Sequence, residues 1–318
     1  MTAPREIVSR VEQQSMTVFS RVNPTQRNYT VGDPEFDGLG KREETILANL
    51  GLFPEDFRNR RVLDAGCGTG EIALLTASWG AQVQGFDLNP ASISHAVRMA
   101  SRSGLNGRCR FAVGSVLAPP VQGSFDIVMC LGVLAHVGDP RAGYGELSRL
   151  VRPGGYLYVS HINRYGFALR RAKRAVAHIL SGGDPARKAA WAKIVWRRHV
   201  ERAARFGHRT KDQIAWDNFV APHLAATVTD WLKWIDDNGM EYLASFPSFY
   251  SFRLPSPSTG GIERIGQFVP PGSQWLRRII PLAVQIRWAL AVRVGGLASI
   301  SFLARKRVRS LTNSGDAG

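Results

Sequence analysis

A doubly wound α/β fold on a mostly parallel sheet is predicted by three observations. Apolar runs of strand length alternate with helical stretches of ten or more residues between Arg61 and Ile162. The runs RVLDA, DIVMCL and YLYVS are apolar on both faces, as strands covered by helices on both sides must be. A glycine-rich turn separates the first of these strands from the first helix, the place where such sheets hold ligands.

Taken in order, residues 1–44 read as a polar cap segment. It holds one long helix at most before the turn-rich stretch NPTQRNYTVGDPEFDGLG, where Tyr29 is either an exposed loop residue or one that closes over a ligand. KREETILANL, Lys41–Leu50, reads as a helix closed by Gly51. RVLDAG, AQVQGFD, RCRFAVGS, SFDIVMCLG and GYLYVSHI follow as five strands, the last fed by a tight turn at Arg152-Pro153-Gly154-Gly155. EIALLTASWG, ASISHAVRMASRSG and RAGYGELSRLV are the helices between them, with Gly80 and Gly104 at two of their ends. Strands joined through helices imply right-handed crossovers and parallel pairing. Further on, Thr229 is placed to cap a helix over DWLKWIDDN with Gly239 past its end, EYLASF is a strand, and 251–274 is a Pro/Gly/Ser-rich loop.

Composition narrows the partners. The 318 residues carry 41 Lys plus Arg against 25 Asp plus Glu, a net charge of +16, which favours acidic partners. Three cysteines, Cys67, Cys109 and Cys130, lie far apart with no C-x-x-C pair, so neither a disulfide framework nor a zinc cluster is expected. Histidines and carboxylates never fall at ligand spacing along the chain, so no metal is expected. The charged N-terminus is no signal peptide, and no run reaches the roughly 18 apolar residues of a spanning helix. The cytoplasm is the expected location, with peripheral contact to a membrane left open.

The chemistry centres on VLDAGCGTGE, residues 62–71. Its glycines allow a sharp turn and close approach of backbone N–H groups to a ligand, and the helix behind favours a negative group. A lone glycine turn is weak. Asp64, just ahead of it, suits a cationic amino group where pyrophosphate would be repelled. Asp87, 23 residues on at the end of the second strand, can accept from both hydroxyls of a ribose.

Here the chain resembles the class I S-adenosylmethionine-dependent methyltransferases of the small-molecule type, over about 45–163. VLDAGCGTGE is similar to the family's first motif, FDLNPASISHAV to its acidic second-strand motif, FDIVMCLGVLAHVGDP to the fourth-strand motif and LVRPGGYLYVS to the fifth. The resemblance implies a Rossmann-like sheet of seven strands and S-adenosylmethionine as cofactor. It places Asp64, Gly66, Gly68 and Gly70 around the methionine portion and Asp87 on the ribose. Leu88 would lie against the adenine, Ser115 and Val116 at its edge, and Leu131 beneath the sulfonium. The family often has an acidic residue after the third strand, where this chain has Gly114-Ser115. Beyond the core, HINRYGFALRRAKR and DNFVAPHLAATVTDWLKWIDDNGMEYLASFPS resemble a bacterial subgroup, and VGGLASISFLARKR resembles its final strand, expected near 294–304.

Methyl transfer needs alignment, and a base only if the acceptor must lose a proton. His136 and His161, after the fourth and fifth strands, are the candidates, each with a plain structural reading beside it. Asn163, Arg164, Tyr165 and His223 are placed for acceptor binding. Residues 164–226 form a helical insertion over the acceptor. Within 164–211 it holds fourteen Lys/Arg against Asp184 and Glu201, split by the turn at Ser181–Pro185. It reads as a lid for an acidic small molecule, as a grip on a membrane surface bearing a lipid or quinone-like acceptor, as an RNA patch without a recognised RNA-binding module, or as a solvated helical face. In the membrane reading, basic residues of the tail (Arg277, Arg278, Arg287, Arg293, Arg305, Lys306, Arg307 and Arg309) join the grip, with Trp275 and Trp288 as anchors. Trp191, Trp196, Trp216, Trp231 and Trp234 read as core. Residues 227–308 complete the sheet and 309–318 form a flexible tail. A non-catalytic cofactor-binding protein is the remaining reading, and oligomeric state leaves no mark in the sequence.

Overall fold

Seven strands form one sheet: β1 (Arg61–Ala65), β2 (Gln82–Asp87), β3 (Cys109–Val113), β4 (Phe125–Leu131), β5 (Val151–Ile162), β6 (Met240–Phe246) and β7 (Ser299–Lys306). They are seen in a computed structural model that describes residues 9–22, 30–165, 167–207, 210–246, 248, 279–284 and 299–308. Tyr29, the loop 251–274, Trp275, Arg277, Arg278, Arg287, Trp288, Arg293 and the tail 309–318 lie outside the described residues. The strand order is β3-β2-β1-β4-β5-β7-β6. The first five strands run parallel, and β7 is antiparallel to both β5 and β6. Direction of winding reverses between β1 and β4, which makes the carboxyl ends of these strands the crevice of the fold.

Alternation along each strand divides the core in two. Leu63, Phe86, Val128 and Leu157 point to one face, where α5 (Pro140–Leu150) and α10 (Val228–Asp237) contribute Tyr144 and the fully buried Trp231. Val62, Val83, Ile127 and Tyr158 point to the other, beneath α2 (Pro34–Leu50), α3 (Glu71–Ser78) and α4 (Pro90–Arg102). A third cluster belongs to the insertion, made of α6 (Ala168–Ser181), α7 (Pro185–Val195), α8 (Arg197–Gly207), α9 (Lys211–Ala215) and a wide turn at Trp216–Val220. Its buried residues include Ala177, Ala192, Trp216 and Phe219, together with Val18 of α1 (Arg10–Val22). The first helix is therefore part of the insertion's core, while α2 belongs to the sheet.

Several boundaries differ from expectation for local reasons. The stretch expected to be turn-rich up to Gly40 is helical from Pro34, because proline suits the first helical position after Asp33 and Gly40 packs on Leu75. The cap of α10 is Thr227, not Thr229: its hydroxyl accepts from Asp230 N, and the Asp230 carboxylate accepts from Thr227 N at 2.8 Å. The Arg152–Gly155 turn lies inside β5, absorbed by a register shift against β4 between Phe125 and Ile127. Within the described residues the final strand runs from Ser299 to Lys306, two residues past its expected end. Trp231 and Trp216 are core as expected, but Trp191 is 38% exposed. Asp126 is structural, accepting from Arg61 N at 2.8 Å and Arg152 Nε at 2.6 Å.

Candidate functional site

A cavity of about 360 Å³ opens at the carboxyl ends of β1, β2, β4 and β5. That is near the lower end of the roughly 300–1,000 Å³ typical of ligand sites. Its floor begins where β1 ends. The chain turns at Gly66 (φ +74°), whose N–H and that of Cys67 both donate to Phe86 O, at 2.7 and 2.9 Å. A Cβ on Gly66 would stand 2.3 Å from a Val133 methyl, so only glycine keeps the backbone at the cavity wall. Gly70 does not line the cavity; a Cβ there would meet the Ala96 Cβ at 2.8 Å, so it seats α3 against α4.

Two carboxylates serve this turn differently. Asp87 lines the cavity, and its oxygens accept from Gly68 N at 3.0 Å and Asn89 N at 2.9 Å. Burial raises its pKa, and those two amides oppose the rise. Asp64 is 3% exposed and is not among the lining residues. Its Oδ2 has no hydrogen-bond partner, and its carboxyl is pushed up to about 7, by burial first and then by Glu71, Asp87 and Glu43. A neighbouring positive charge is what this group lacks. Leu88, Val116 and Leu131 line the cavity with Gly66 and Gly68.

Ser115 departs from its expected place at the adenine edge. Its hydroxyl is hydrogen-bonded to Glu12 of α1, accepts from Leu117 N at 3.0 Å, and does not line the cavity. The acidic side chain near this loop is thus carried by α1. That helix also brings Ser15, Met16 and Phe19 to the cavity, with Ser15 Oγ donating to His136 O at 2.8 Å and the Phe19 ring edge-on to His136 at 4.7 Å.

The three histidines singled out in the sequence all line the cavity. His136 follows β4 in a short helical turn, with Nδ1 at 2.6 Å from Pro222 O. His161 is 1% exposed, edge-on to Trp231 at 4.7 Å, and neither ring nitrogen makes a hydrogen bond of good geometry. Burial, and then His136, push its pKa down to about 3. His223 Nδ1 lies 2.8 Å from Ala221 O and 3.0 Å from Arg174 Nη1. Burial first, then His136 and Arg174, push its pKa down to about 2. Both buried rings are neutral at physiological pH.

Asn163, Arg164 and Tyr165 do not reach the cavity. Asn163 is fully buried, its Oδ1 accepts from Tyr165 N at 2.9 Å, and its backbone bridges to Ala226. These residues tie the start of the insertion to its end. In their place the insertion supplies Arg170, Asp217 and Asn218. Nothing in the basic run distinguishes Arg170 from its neighbours until α6 is folded.

The expectation that histidines and carboxylates do not cluster holds along the chain and fails in space. His136, Asp217 and His223 offer ligand atoms within 4.8 Å of one another, because the wide turn at 216–220 and the Pro222 bond bring distant segments together. Charge argues against a divalent cation at this cluster. Arg174 touches His223, and Arg170 lines the same wall. Repulsion from guanidinium groups at such range is on the order of several kcal/mol in a partly buried site.

The chain matches the family model described as a methyltransferase domain over residues 56–214, half of its length. Ubiquinone biosynthesis O-methyltransferase of Xanthomonas oryzae pv. oryzae is 38% identical over 153 residues, covering 43% of this chain and 62% of that protein. Its counterpart in Maricaulis maris is 37% identical over 127 residues, covering 40% and 50%. The chain thus spans less than two thirds of these relatives. Among solved structures, PKMT2 from Rickettsia typhi has a TM-score of 0.56 at 16% identity, over 85% of this chain and 54% of that one. The cyclase SpnF has a TM-score of 0.51 at 16% identity, over 95% and 98%. Both show the same fold, and the second shows that the fold alone does not name a reaction. A family match over half the sequence, laid on a sheet of this order, settles membership: the chain belongs to the class I S-adenosylmethionine-dependent methyltransferases.

Proposed function

We propose that this protein transfers a methyl group from S-adenosylmethionine to a hydroxyl oxygen of a small-molecule acceptor, with His136 taking the hydroxyl proton. The observation that carries this reading is a single cavity running from Asp87 and the glycine turn to His136. The cofactor fits the residues present. Asp87 is anchored by two amides with lone pairs left for a ribose, and Asp64 is a buried carboxyl whose Oδ2 has no partner, beside a turn suited to the methionine portion. Bound there, S-adenosylmethionine supplies a methyl group already activated by its sulfonium.

The chain's own contribution is alignment, exclusion of water and one proton transfer. Met16 and Phe19 of α1 close one side of the cavity, and Leu131 and Val133 line another. Pro222 O can only accept, so His136 Nδ1 carries the proton of the neutral ring and Nε2 is the acceptor. His161 and His223, held neutral far below their ordinary range, are poor bases and serve as polar wall. Oxygen as the methylated atom is supported by the relatives named O-methyltransferases.

Calorimetric titration with S-adenosylmethionine and S-adenosylhomocysteine tests the reading. Binding of both, lost in Asp87→Ala, is expected; a wild-type protein that binds neither overturns it.

A second reading, a lipid-like or quinone-like acceptor taken from a membrane surface, is favoured by one observation. Leu169, Val176, Ile179 and Leu180 of α6 and Ile194 and Val195 of α7 are exposed on the basic insertion, with Ile179 77% exposed. Apolar residues on a basic helical surface suit an anionic interface. Among the described residues no helix is long and apolar enough to cross a membrane. Co-sedimentation with anionic but not neutral vesicles, weakened in Ile179→Ser with Ile194→Ser, is the result this reading requires.

A further inference from the structure

We propose that Arg170 is an oxyanion receptor in the acceptor end of the cavity, so that the acceptor carries a carboxylate or phosphate. The inference rests on the reading of that end as the acceptor site, and it adds the chemical class of the molecule.

Arg170 is well shielded from solvent and lines the cavity. Its guanidinium lies 5.0 Å from the Phe167 ring centre, and Nη1 donates to Asn218 Oδ1 at 3.0 Å. Among the described residues this is its one hydrogen bond, out of five N–H groups. A half-buried guanidinium with most donors unspent is costly unless a ligand completes it. Its planar fork matches carboxylate and phosphate in a way that a lysine would not.

Arg174, one turn further along α6, is used differently. It donates to Asn218 O at 2.9 Å and Ala221 O at 2.5 Å and touches His223 Nδ1 at 3.0 Å. Arg174 therefore builds the 217–223 turn, and Arg170 is left to the cavity. The surroundings stay positive. Asp217 is the carboxylate whose charge reaches both arginines, while burial and Arg170 lower the Lys173 pKa, and burial and Arg174 lower that of Lys188. Burial, Arg170, Lys173 and Arg202 hold His199 down at about 4. A wall whose cations depress one another favours an anion, which is also why the neighbouring His136, Asp217 and His223 cluster is not read as a cation site.

The test titrates the full chain, with and without S-adenosylhomocysteine, using benzoate, phenyl phosphate and the neutral isostere benzamide at low salt. At least one anion is expected to bind about tenfold or more tightly than benzamide, the worth of one hydrogen bond to a charged group. The tighter anion identifies the oxyanion class. Arg170→Gln should abolish the preference for the anion, and Arg170→Lys should restore part of it. Benzamide binding as well as both anions, no binding of either anion, or an undiminished preference in Arg170→Gln each overturns the proposal. If Arg170→Gln fails to fold, the wild-type anion and benzamide titrations and Arg170→Lys still decide. Titration with S-adenosylhomocysteine alone judges the methyltransferase reading separately, and the arms without it judge the anion site even if that reading fails.

Discussion

His136 Nδ1 stands 2.6 Å from the main-chain oxygen of Pro222, so one hydrogen bond joins the end of β4 to a turn 86 residues further along. The bond sets the ring's tautomer and its orientation together. Replacing His136 by Gln should lower turnover by roughly 10²- to 10⁴-fold, the usual worth of a positioned base. Binding of S-adenosylhomocysteine should persist. Steady-state rates with the variant, beside a titration, check this; unchanged turnover would remove His136 from the proton transfer.

Asp64 makes a prediction of opposite sign to the usual carboxylate. Its pKa is pushed up to about 7 from an ordinary 3.8, so the folded state resists ionisation that the unfolded chain accepts. Stability is therefore lost as pH rises from about 4 to about 7, not as it falls. Asp64→Asn should gain stability over that window, by at most a few kcal/mol at about 1.4 kcal/mol per pH unit. Thermal melts of both proteins at several pH values would show it. A variant no more stable than wild type at high pH would mean that the carboxyl is already neutralised by a partner.

Buried neutral histidines work in the other direction. His161 at about 3 and His223 at about 2 both lie below the ordinary 6.5, so the unfolded chain binds their protons first as pH falls. Each of the two histidines therefore contributes stability that is lost as pH falls below about 6.5, at roughly 1.4 kcal/mol per pH unit, against the opposite slope of Asp64. Urea titrations between pH 7 and pH 5 measure the slope. His161→Phe should flatten it; an identical slope in that variant would remove His161 as a source.

Glu12 and Ser115 fasten α1 to the loop after β3. Glu12→Ala should loosen that helix, so that limited proteolysis within residues 9–22 quickens and S-adenosylhomocysteine leaves faster. Stopped-flow dissociation checks the second effect. A variant with unchanged dissociation and unchanged cleavage would show that Ser15 and Phe19 hold α1 unaided.

The sheet was legible because buried parallel strands leave continuous apolar runs, and RVLDA and DIVMCL stand within a residue or so of β1 and β4. Asp87 and the glycine turn were legible for a related reason: their spacing is local to one strand-turn-helix unit. The insertion's end of the cavity was not. Arg170 is one cation in a run of cations, and Asp217 gains its meaning only when the turn at 216–220 sets it 4.0 Å from His223 Nε2. The role of α1 was hidden because Ser15, Met16 and Phe19 are unremarkable in a polar helix until Val18 is buried among residues of the insertion. Asn163 and its neighbours illustrate the converse, polar residues next to the site that are spent on backbone.

Packing of Val18 among residues 177–221 has a consequence for how the protein is made. On the ribosome, the stretch from β1 to β4 emerges with the glycine turn and Asp87 complete, before any of the insertion exists. Helix α1, translated ahead of the sheet, meets Ser115 and His136 as β3 and β4 emerge, but Val18 waits roughly 160 to 200 residues for its insertion partners, a closure at long sequence separation and therefore slow. The bond from His136 Nδ1 likewise waits until Pro222 has emerged. On the proposed function, the nascent chain thus acquires its cofactor-facing half before the half that selects an acceptor, and a chain stopped short of the insertion should hold cofactor without the walls that direct it.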